Sequence, residues 1–475
     1  MREDFLHYLW RLARFDLRDL RTTAGEAVRI QDFGTHNDGA GPDFSHARLR
    51  IGGMQWAGNV EMHLQAGIWY DHGHDRDPAY DSVILHVVLT EDRPVYRSDG
   101  SRIPCLELRD RIPPGLLEQY WRLLHNEHWV PCQNLIHQVD ETVRVMWLER
   151  LLVERLTERA DRFADRLAAC GRDWETAFYQ AVARALGGRV NAEAMDMLAR
   201  SLPLRLLQRH AHSRLQLEAL LFGQSGLLPA AGAPTDGDYP ALLRREYELL
   251  RTKYELRPLP ATAWRYLRLR PNNFPTVRIA QLAALLFRTS QLFGKALAAT
   301  GAVELRNMFV VSLSNYWRSH YRFGGAASRP GERRLGRATI DGILINAVAP
   351  AYVAYARRRG EDRYRERAGE LLGELPAERN RHLSRWAALG LPARSAAEGQ
   401  ALLQLRQHYC TASRCTSCAV GAALLGRAAP AADPVPYRTG GNFAAGAAAQ
   451  EPVVSFTFKQ RKTAATHGLQ YCLTG

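Results

Sequence analysis

The sequence of 475 residues lacks the marks of a secreted or membrane-spanning chain. Its first residues, MREDFLHYLWRL, are charged from the second position and contain no apolar run of the length that a signal peptide requires. No uninterrupted apolar stretch approaches the ~20 residues that a membrane-spanning helix needs. These absences argue against secretion and membrane binding, and they predict a cytoplasmic protein.

Lysine is scarce, with four residues in the chain, so arginine carries nearly all of the positive charge. The net charge is +14 at pH 7, and the isoelectric point is near 9.7. Such a surplus favours a polyanionic partner, nucleic acid first. Arginine spread over solvated helix surfaces would explain much of the same excess, so the charge alone does not identify a partner.

The seven cysteines are an odd number, which together with the amino terminus indicates a reducing compartment. Three of them form a C-x4-C-x2-C cluster that favours a metal over disulfides, because thiolates at these spacings reach one ion or cluster. Zinc and an iron–sulfur cluster both remain open, and small buried thiols at the start of an Ala-rich helix are the alternative. The cluster is Cys410, Cys415 and Cys418. A fourth ligand would be either His408 or a distant cysteine, with Cys132 as the preferred candidate and Cys105 as the second. Cys170 and Cys472 look incidental.

Most of the side chains suited to catalysis lie between Asn37 and His86. A glycine-rich turn places Asp43 at the head of an alternating strand, and Gly52-Gly53 is typical of a hairpin reversal. On the return strand Glu61 and His63 project to the same side. Pairing across the turn therefore predicts that Asp43 lies near Glu61.

Two carboxylates and an imidazole on one sheet face suit a hard divalent cation, Mg or Mn. We therefore predict Asp43, Glu61 and His63 as catalytic residues, with His63 as a ligand or proton carrier. His72 and His74 follow closely and are predicted as further metal ligands. The alternative is that Asp43 only satisfies its turn and that the strand face is solvated, but the density of histidines and acids from Trp69 to His86 weakens it.

The order of helix, strand, hairpin and strand predicts an α+β or α/β fold that begins with a small mixed-sheet domain at residues 1–112. Helical stripes without a fixed repeat predict a large, irregular, Arg-rich all-α domain at 113–425. From 426 to 475 the composition shifts to Ala, Gly and Pro, which predicts a disordered low-complexity tail.

Four polar residues of the helical part are predicted to contact nucleic acid. Arg278 and Gln281 lie early in a helix that follows Asn-Asn-Phe-Pro, and Arg318 and Arg322 are interleaved with aromatic residues that would stack on bases. Packing of the aromatic face into a core is the favoured alternative for the second pair.

Long motifs, among them GPDFSHARLRIGG, AGNVEMHL, NFPTVRIAQLAALL and NYWRSHYRFG, resemble a bacterial domain-of-unknown-function family, number 2851, for which no activity is established. A looser resemblance is to PD-(D/E)XK nucleases, which implies a restriction-endonuclease-like domain in which Asp43 and Glu61-x-His63 are the active-site motif. Histidine replaces the usual lysine, which puts the water-activating role in doubt. Some of those nucleases hold an iron–sulfur cluster with one early and three late cysteines; Cys132 and the late cysteines are similar, although the late spacing differs.

The leading hypothesis is a metal-dependent nuclease that hydrolyses phosphodiesters of DNA or RNA. One alternative is a non-catalytic nucleic-acid-binding or assembly protein with a decayed nuclease-like module. Another is a zinc hydrolase that acts on a small substrate and is built from His63, His72, His74 and His86.

Overall fold

A computed structural model describes residues 1–37, 39–232, 237–289 and 291–426. The predicted disordered tail lies outside the described residues, apart from Gly426. By contacts the chain forms two compact units. The first contains Met1–Leu148 and the described residues from Gln404 onward, and the second contains Glu149–Leu403. These divisions differ from the predicted domain boundaries near residues 112 and 425, which stay a prediction.

The first unit is built on a six-stranded sheet. The predicted mixed sheet is confirmed, because β1, β3 and β4 pair antiparallel, whereas β4, β5 and β6 pair parallel. Strand β2 pairs with β3 alone and leaves the main path of the sheet. The strands are β1 (Val28–Asp32), β2 (Thr35–His36), β3 (Phe44–Ile51), β4 (Met54–Gln65), β5 (Val83–Thr90) and β6 (Cys105–Glu107).

The hairpin between β3 and β4 forms where the sequence predicts it. Gly52 and Gly53 both adopt positive φ, 55° and 98°, which a glycine tolerates at no steric cost. Strand β3 alternates buried and exposed residues over most of its length, whereas Val83–Val88 of β5 are all buried. A strand covered on both faces requires a continuous apolar run, and β5 accordingly lies between β4 and β6.

Helix α1 (Glu3–Arg11) packs on β4 through its apolar stripe. Phe5, Leu6, Leu9 and Trp10 are fully buried, whereas Leu12, just after the helix, is exposed. His7, which lies between them, is half-buried. The short helix α2 (Ile68–Asp71) follows β4, and its Trp69 belongs to a buried cluster with Val83, Val88 and Cys105, among others.

The remaining structure is helical, which confirms the predicted large and irregular helical part. The helices vary in length and follow no repeat, and prolines stand near many of their starts. They are α3 (Pro114–Leu124), α4 (Glu141–Ala169), α5 (Trp174–Leu186), α6 (Gly188–Ser201), α7 (Leu204–Arg209), α8 (Arg214–Gln224), α9 (Tyr239–Tyr254), α10 (Pro275–Arg288), α11 (Leu292–Ala298), α12 (Ala302–Met308), α13 (Asn315–Ser319), α14 (Arg337–Ile343), α15 (Ala349–Arg359), α16 (Arg363–Glu374), α17 (Arg381–Ala388), α18 (Ala396–Gln404) and α19 (Ala419–Leu425).

One continuous helical run, Arg337–Arg359, is long and apolar enough to cross a membrane by length and composition. The run is not an uninterrupted apolar stretch, because Asp341 and Asn346 lie within it. Within the structure, 72% of the apolar window is buried. Core helices of compact units meet the same criterion, so the finding is weak evidence for a membrane span.

Candidate metal centre

The side chain of Glu61 lies at the middle of the candidate site. Its strand, β4, has β3 on one side and β5 on the other, and the residue is only 5% exposed. Glu61 Oε2 accepts a hydrogen bond from the Asp43 backbone N–H (3.0 Å). Glu61 Oε1 lies 3.4 Å from His74 Nε2 and 3.7 Å from His63 Nε2. The predicted alternative of a solvated strand face is therefore wrong at Glu61.

Asp43 lies next to Glu61, at the place that the hairpin register predicts. Asp43 Oδ2 accepts a hydrogen bond from the Met62 backbone N–H (2.9 Å). Each carboxylate therefore accepts from a backbone N–H of the segment that carries the other acidic residue. The same oxygen lies 3.2 Å from His7 Nε2. The carboxylate thus accepts from the backbone of β4 and not from its own turn, as the alternative had expected, and the side chain faces the site.

Three histidines converge beside Glu61. The nitrogen ligand atoms of His63, His72 and His74 all lie within 4.8 Å of one another. His63 Nε2 is 3.3 Å from His72 Nδ1, and the rings of His63 and His74 stack at 5.5 Å. His63 and His74 are buried, whereas His72 is exposed to solvent. The cluster therefore has two buried imidazoles and one that is accessible to solvent.

Burial shifts the pKa values of these groups in the direction that favours their neutral forms. It raises the pKa of Glu61, and the nearby carboxylates of Asp43 and Glu3 add to the effect. Burial, followed by His86 and the other histidines, lowers the pKa of His63 to about 2. It also lowers the pKa of His74. Neutral imidazoles are the form that ligates metals. A bound cation would stabilise the ionised carboxylate of Glu61, which burial disfavours.

A second layer of aromatic groups orients the histidines. His86 is fully buried on β5, and its Nε2 lies 2.8 Å from His63 Nδ1. Tyr80 stacks on the ring of His74 at 3.7 Å, and Trp69 meets the same ring edge-on at 5.3 Å. His86 was predicted as a zinc ligand, but it is outside the ligand group and contacts it through His63. Partners of this kind fix the orientation of metal-binding imidazoles.

Two residues of α1 that were not predicted from the sequence border the site. Glu3 and His7, four positions apart, lie on one helix face. The pKa of Glu3 is raised, first by burial and then by Asp43, which indicates that the two carboxyl groups are close. His7 Nε2 is buried and, despite its closeness to Asp43, has no aligned hydrogen-bond partner among the described residues. The sequence feature that could have indicated both residues is a pair of polar side chains four positions apart, next to the apolar stripe of α1.

The structure corrects two of the residues predicted to contact nucleic acid. Arg278 and Gln281 are buried in the second unit, where Arg278 donates to Gln281 Oε1 (2.8 Å) and to Asn273 Oδ1 (2.7 Å). Their polar groups bind neighbouring side chains and backbone inside the helical packing, so they offer no surface to a polyanion. Arg318 and Arg322 are exposed, and their role stays a prediction.

The aromatic residues around Arg318 pack in the core, which was the favoured alternative. Trp317 is fully buried and stacks on Phe222 at 4.8 Å. Tyr316 stacks on His320 at 4.0 Å. Because these ring faces are covered by protein, they are not available to nucleic acid bases.

The predicted cysteine ligands lie in the first unit. Cys132, Cys415 and Cys418 are buried, and Cys410 is half-buried. Cys105 packs instead in the cluster around Trp69, and Cys170 donates to Gln180 Oε1 in the second unit. Neither of these two thiols is therefore grouped with the late cysteines.

A family model matches residues 3–381. The chain belongs to this family, described as protein of unknown function (DUF2851). The DUF2851 match includes Glu3, the Asp43–Glu61 pair and the three histidines, whereas the late cysteines follow it. No curated protein and no solved structure matches the chain. The family description carries no activity, so function must be argued from the site.

The metal-free protein is expected to be most stable near pH 6.5. Below that value the unfolded imidazoles take up protons that His63 and His86, with pKa values lowered to about 2 and about 3, do not bind when folded. Above it the folded state still holds a proton on Glu61 that the unfolded carboxyl, with a pKa of 4.5, has lost. Stability then falls by at most about 1.4 kcal/mol per pH unit for that proton. Urea unfolding in chelator at several pH values measures this, and stability that keeps rising from pH 6.5 to 8 would contradict it.

Replacing His86 with leucine is expected to weaken metal binding by about 10- to 100-fold, because His63 loses the partner that orients it. The substitution removes the unpartnered His86 Nδ1 but leaves His63 Nδ1 without its partner, so we expect a loss of about 1–3 kcal/mol of unfolding free energy. Calorimetric titration with Mn²⁺ measures the affinity. The matched control is His128→Gln, at an exposed histidine of the same unit; equal affinity of both variants would refute the role of His86.

Proposed function

We propose that this protein is a metal-dependent phosphodiesterase that cleaves nucleic acid. The observation that carries the proposal is the convergence of three histidine ligand atoms within 4.8 Å beside the buried carboxylate of Glu61. A divalent cation held there would be bound by His63, His72, His74 and Glu61. Such an ion offsets phosphate charge and supplies a nucleophile near neutral pH.

The donor set favours Mn²⁺ or Zn²⁺ over Mg²⁺, because imidazole suits transition metals and Mg²⁺ prefers oxygen ligands. The Asp43–Glu61 pair alone would suit Mg²⁺ or Mn²⁺, as the sequence predicts. Mn²⁺ is compatible with both sets of ligands. The fit of a cation is supported by the chemistry of this cluster, in which a buried acid faces neutral imidazoles and His7 Nε2 has no aligned partner.

Within this proposal His63 acts as a ligand and not as the base. A buried imidazole whose pKa is lowered to about 2 accepts protons poorly near neutral pH, whereas its neutral nitrogen is ready for ligation. The imidazole placed to take a proton is His7, outside the ligand group and 3.2 Å from Asp43 Oδ2. Asp43 would stabilise the protonated ring and hold its orientation.

An anionic substrate is supported by arginines on β1 and β3 of the sheet that carries the site. Arg29 of β1 pairs directly with Arg50 of β3, and Arg48 lies two residues earlier on the same strand. All three are exposed. Arg48 pairs directly with Asp32 of β1, so the Arg29–Arg50 pair is the part of this surface that favours an anion such as a phosphate backbone.

Three imidazoles also form a ligand set typical of catalytic zinc, which keeps a zinc hydrolase of small substrates as a second candidate. It would use the same centre but would not need the arginines. Binding without catalysis is the third outcome, and it would appear as salt-dependent affinity that does not depend on metal.

The test is cleavage of labelled single- and double-stranded DNA and RNA by the purified protein with Mn²⁺, Mg²⁺ or Zn²⁺. We expect Mn²⁺-dependent cleavage that is lost in Asp43→Ala and retained in Asp110→Ala, at an exposed acid of the same unit. Equal cleavage by Asp43→Ala would contradict the proposal, as would no cleavage by the wild type. Zn²⁺-dependent hydrolysis of small esters alone would favour the second candidate.

A further inference from the structure

Four cysteines distant in sequence come together in the first unit. Cys132 lies four residues before the start of a short turn of 3-10 helix at Ile136–Gln138, and its carbonyl oxygen accepts from the Ile136 backbone N–H (2.9 Å). Cys410 ends the helical segment Leu405–Cys410. Cys415 begins the turn Cys415–Ser417, and Cys418 directly precedes α19. Helix α19 packs on α3 and on the Ile136–Gln138 turn, which brings the late cysteines to Cys132. None of the four forms a disulfide.

The segments that carry the four cysteines contact one another. The segment Leu405–Cys410 contacts the Cys415–Ser417 turn, and α19, which follows Cys418, contacts both that turn and the Ile136–Gln138 turn after Cys132. Three of the four thiols are buried and Cys410 is half-buried. Thiols grouped in this way are stabilised as thiolates by a bound cation or cluster.

We propose that Cys132, Cys410, Cys415 and Cys418 hold a [4Fe–4S] cluster. Four thiolates on one zinc ion lie about 4 Å apart, because each Zn–S bond is about 2.3 Å. Among the described residues, only the three histidines form a group of ligand atoms within 4.8 Å, so no three of these thiols are that close. A four-iron cluster gives each thiolate its own iron atom and therefore takes the wider spacing.

The cysteine segment is anchored on the helix that borders the metal centre. Arg11 of α1 donates to the carbonyl oxygen of Thr416 (2.9 Å), and Thr416 Oγ1 donates to Asp4 Oδ2 (3.2 Å). Tyr120 donates to the other oxygen of Asp4 (3.2 Å). The same helix carries Glu3 and His7 on the face toward Asp43. The cluster thus fastens the end of the first unit onto α1 and supports one wall of the catalytic site without contact to the reacting atoms.

Close backbone packing supports a built site. A side chain at Gly421 of α19 would lie 2.1 Å from the Cys415 carbonyl oxygen, so only glycine lets the helix approach the Cys415–Ser417 turn. Such closeness places Cys415 and Cys418, which flank this turn, beside the start of α19.

The experiment is anaerobic purification of the full chain, followed by iron, acid-labile sulfide and zinc analysis and visible absorbance. We expect about four iron and four sulfide per chain, and a broad brown absorbance that bleaches on reduction with dithionite. Stoichiometric zinc without iron would overturn the cluster, and a protein with neither metal would overturn the site altogether. These measurements use the wild type, so they do not depend on the folding of any variant or on nuclease activity.

Variants locate the ligands. Cys415→Ser and Cys418→Ser are expected to lose most of the iron and the absorbance, while the matched control Cys170→Ser, in the second unit, keeps both. Limited proteolysis of the cluster-free protein should release the segment after Gln404 first. Full iron content in Cys415→Ser would contradict the assignment, whereas failure of the cleavage assay with intact iron would count only against the proposed phosphodiesterase.

Discussion

The Glu61→Gln variant is expected to lose metal binding and to cleave nucleic acid about 1,000-fold more slowly than the wild type, equivalent to roughly 4 kcal/mol of transition-state stabilisation. Glutamine keeps the size of the side chain but removes the charge that attracts the cation. The backbone N–H of Asp43 keeps an acceptor in the amide oxygen, so the hairpin geometry is preserved.

The same substitution is expected to increase the stability of the metal-free protein. In the wild type, burial and the carboxylates of Asp43 and Glu3 raise the pKa of Glu61, so folding at pH 8 is linked to proton uptake. The glutamine variant has no such proton, and its stability should change less between pH 7 and 8.5, where the histidines are neutral in both states. A gain in stability with a loss of function is the pattern of a site selected for chemistry.

Metal titration by calorimetry and urea unfolding with and without Mn²⁺ measure both effects. The matched control is Glu107→Gln on β6, which changes a carboxylate of the same sheet outside the ligand group. If Glu61→Gln bound Mn²⁺ as tightly as the wild type, the carboxylate would not be a ligand and the proposed centre would have to be reduced to the histidines.

The Trp69→Ala variant is expected to lose about 3–5 kcal/mol of unfolding free energy and, with it, the metal centre. Trp69 is fully buried in the cluster with Val83 and Val88, and its Nε1 donates to the Tyr96 carbonyl oxygen (3.2 Å). Its ring also meets His74 and His86 at 5.3 and 5.5 Å. Removing the ring leaves a cavity beside two imidazoles and frees the connector that carries His72 and His74.

Urea unfolding and Mn²⁺ titration again provide the measurements. The control is Trp56→Ala, at a half-buried tryptophan near the start of β4, whereas His63 lies near the end of that strand. It should destabilise the fold less and leave the metal affinity within about twofold of the wild type. Normal metal affinity in Trp69→Ala would show that the histidines are held by β4 alone.

The local pattern of the first unit determined much of what could be predicted. Alternation around Asp43, the Gly52-Gly53 reversal and the apolar run of β5 each report on neighbours in sequence, and each appears in the structure. Because hairpin register follows from the turn, even the long-range contact between Asp43 and Glu61 was accessible.

Other features depend on packing between distant segments. The place of Glu3 and His7 at the site follows from how α1 crosses β4, which no local pattern specifies. Arg278 looked like a surface residue because arginine is usually exposed, but neutral acceptors from Asn273 and Gln281 satisfy it inside the helical core. Burial of a charged group by hydrogen bonds from separate segments is decided by tertiary structure.

The most direct test of the metal centre is the anomalous scattering of crystals soaked with Mn²⁺. The account predicts one strong peak within bonding distance of His63 Nε2, His74 Nε2 and Glu61 Oε1, with the exposed His72 completing the group. Crystals of Glu61→Gln should lack the peak. An anomalous map of the wild type with no peak among these atoms, at a Mn²⁺ concentration that supports cleavage, would contradict the account.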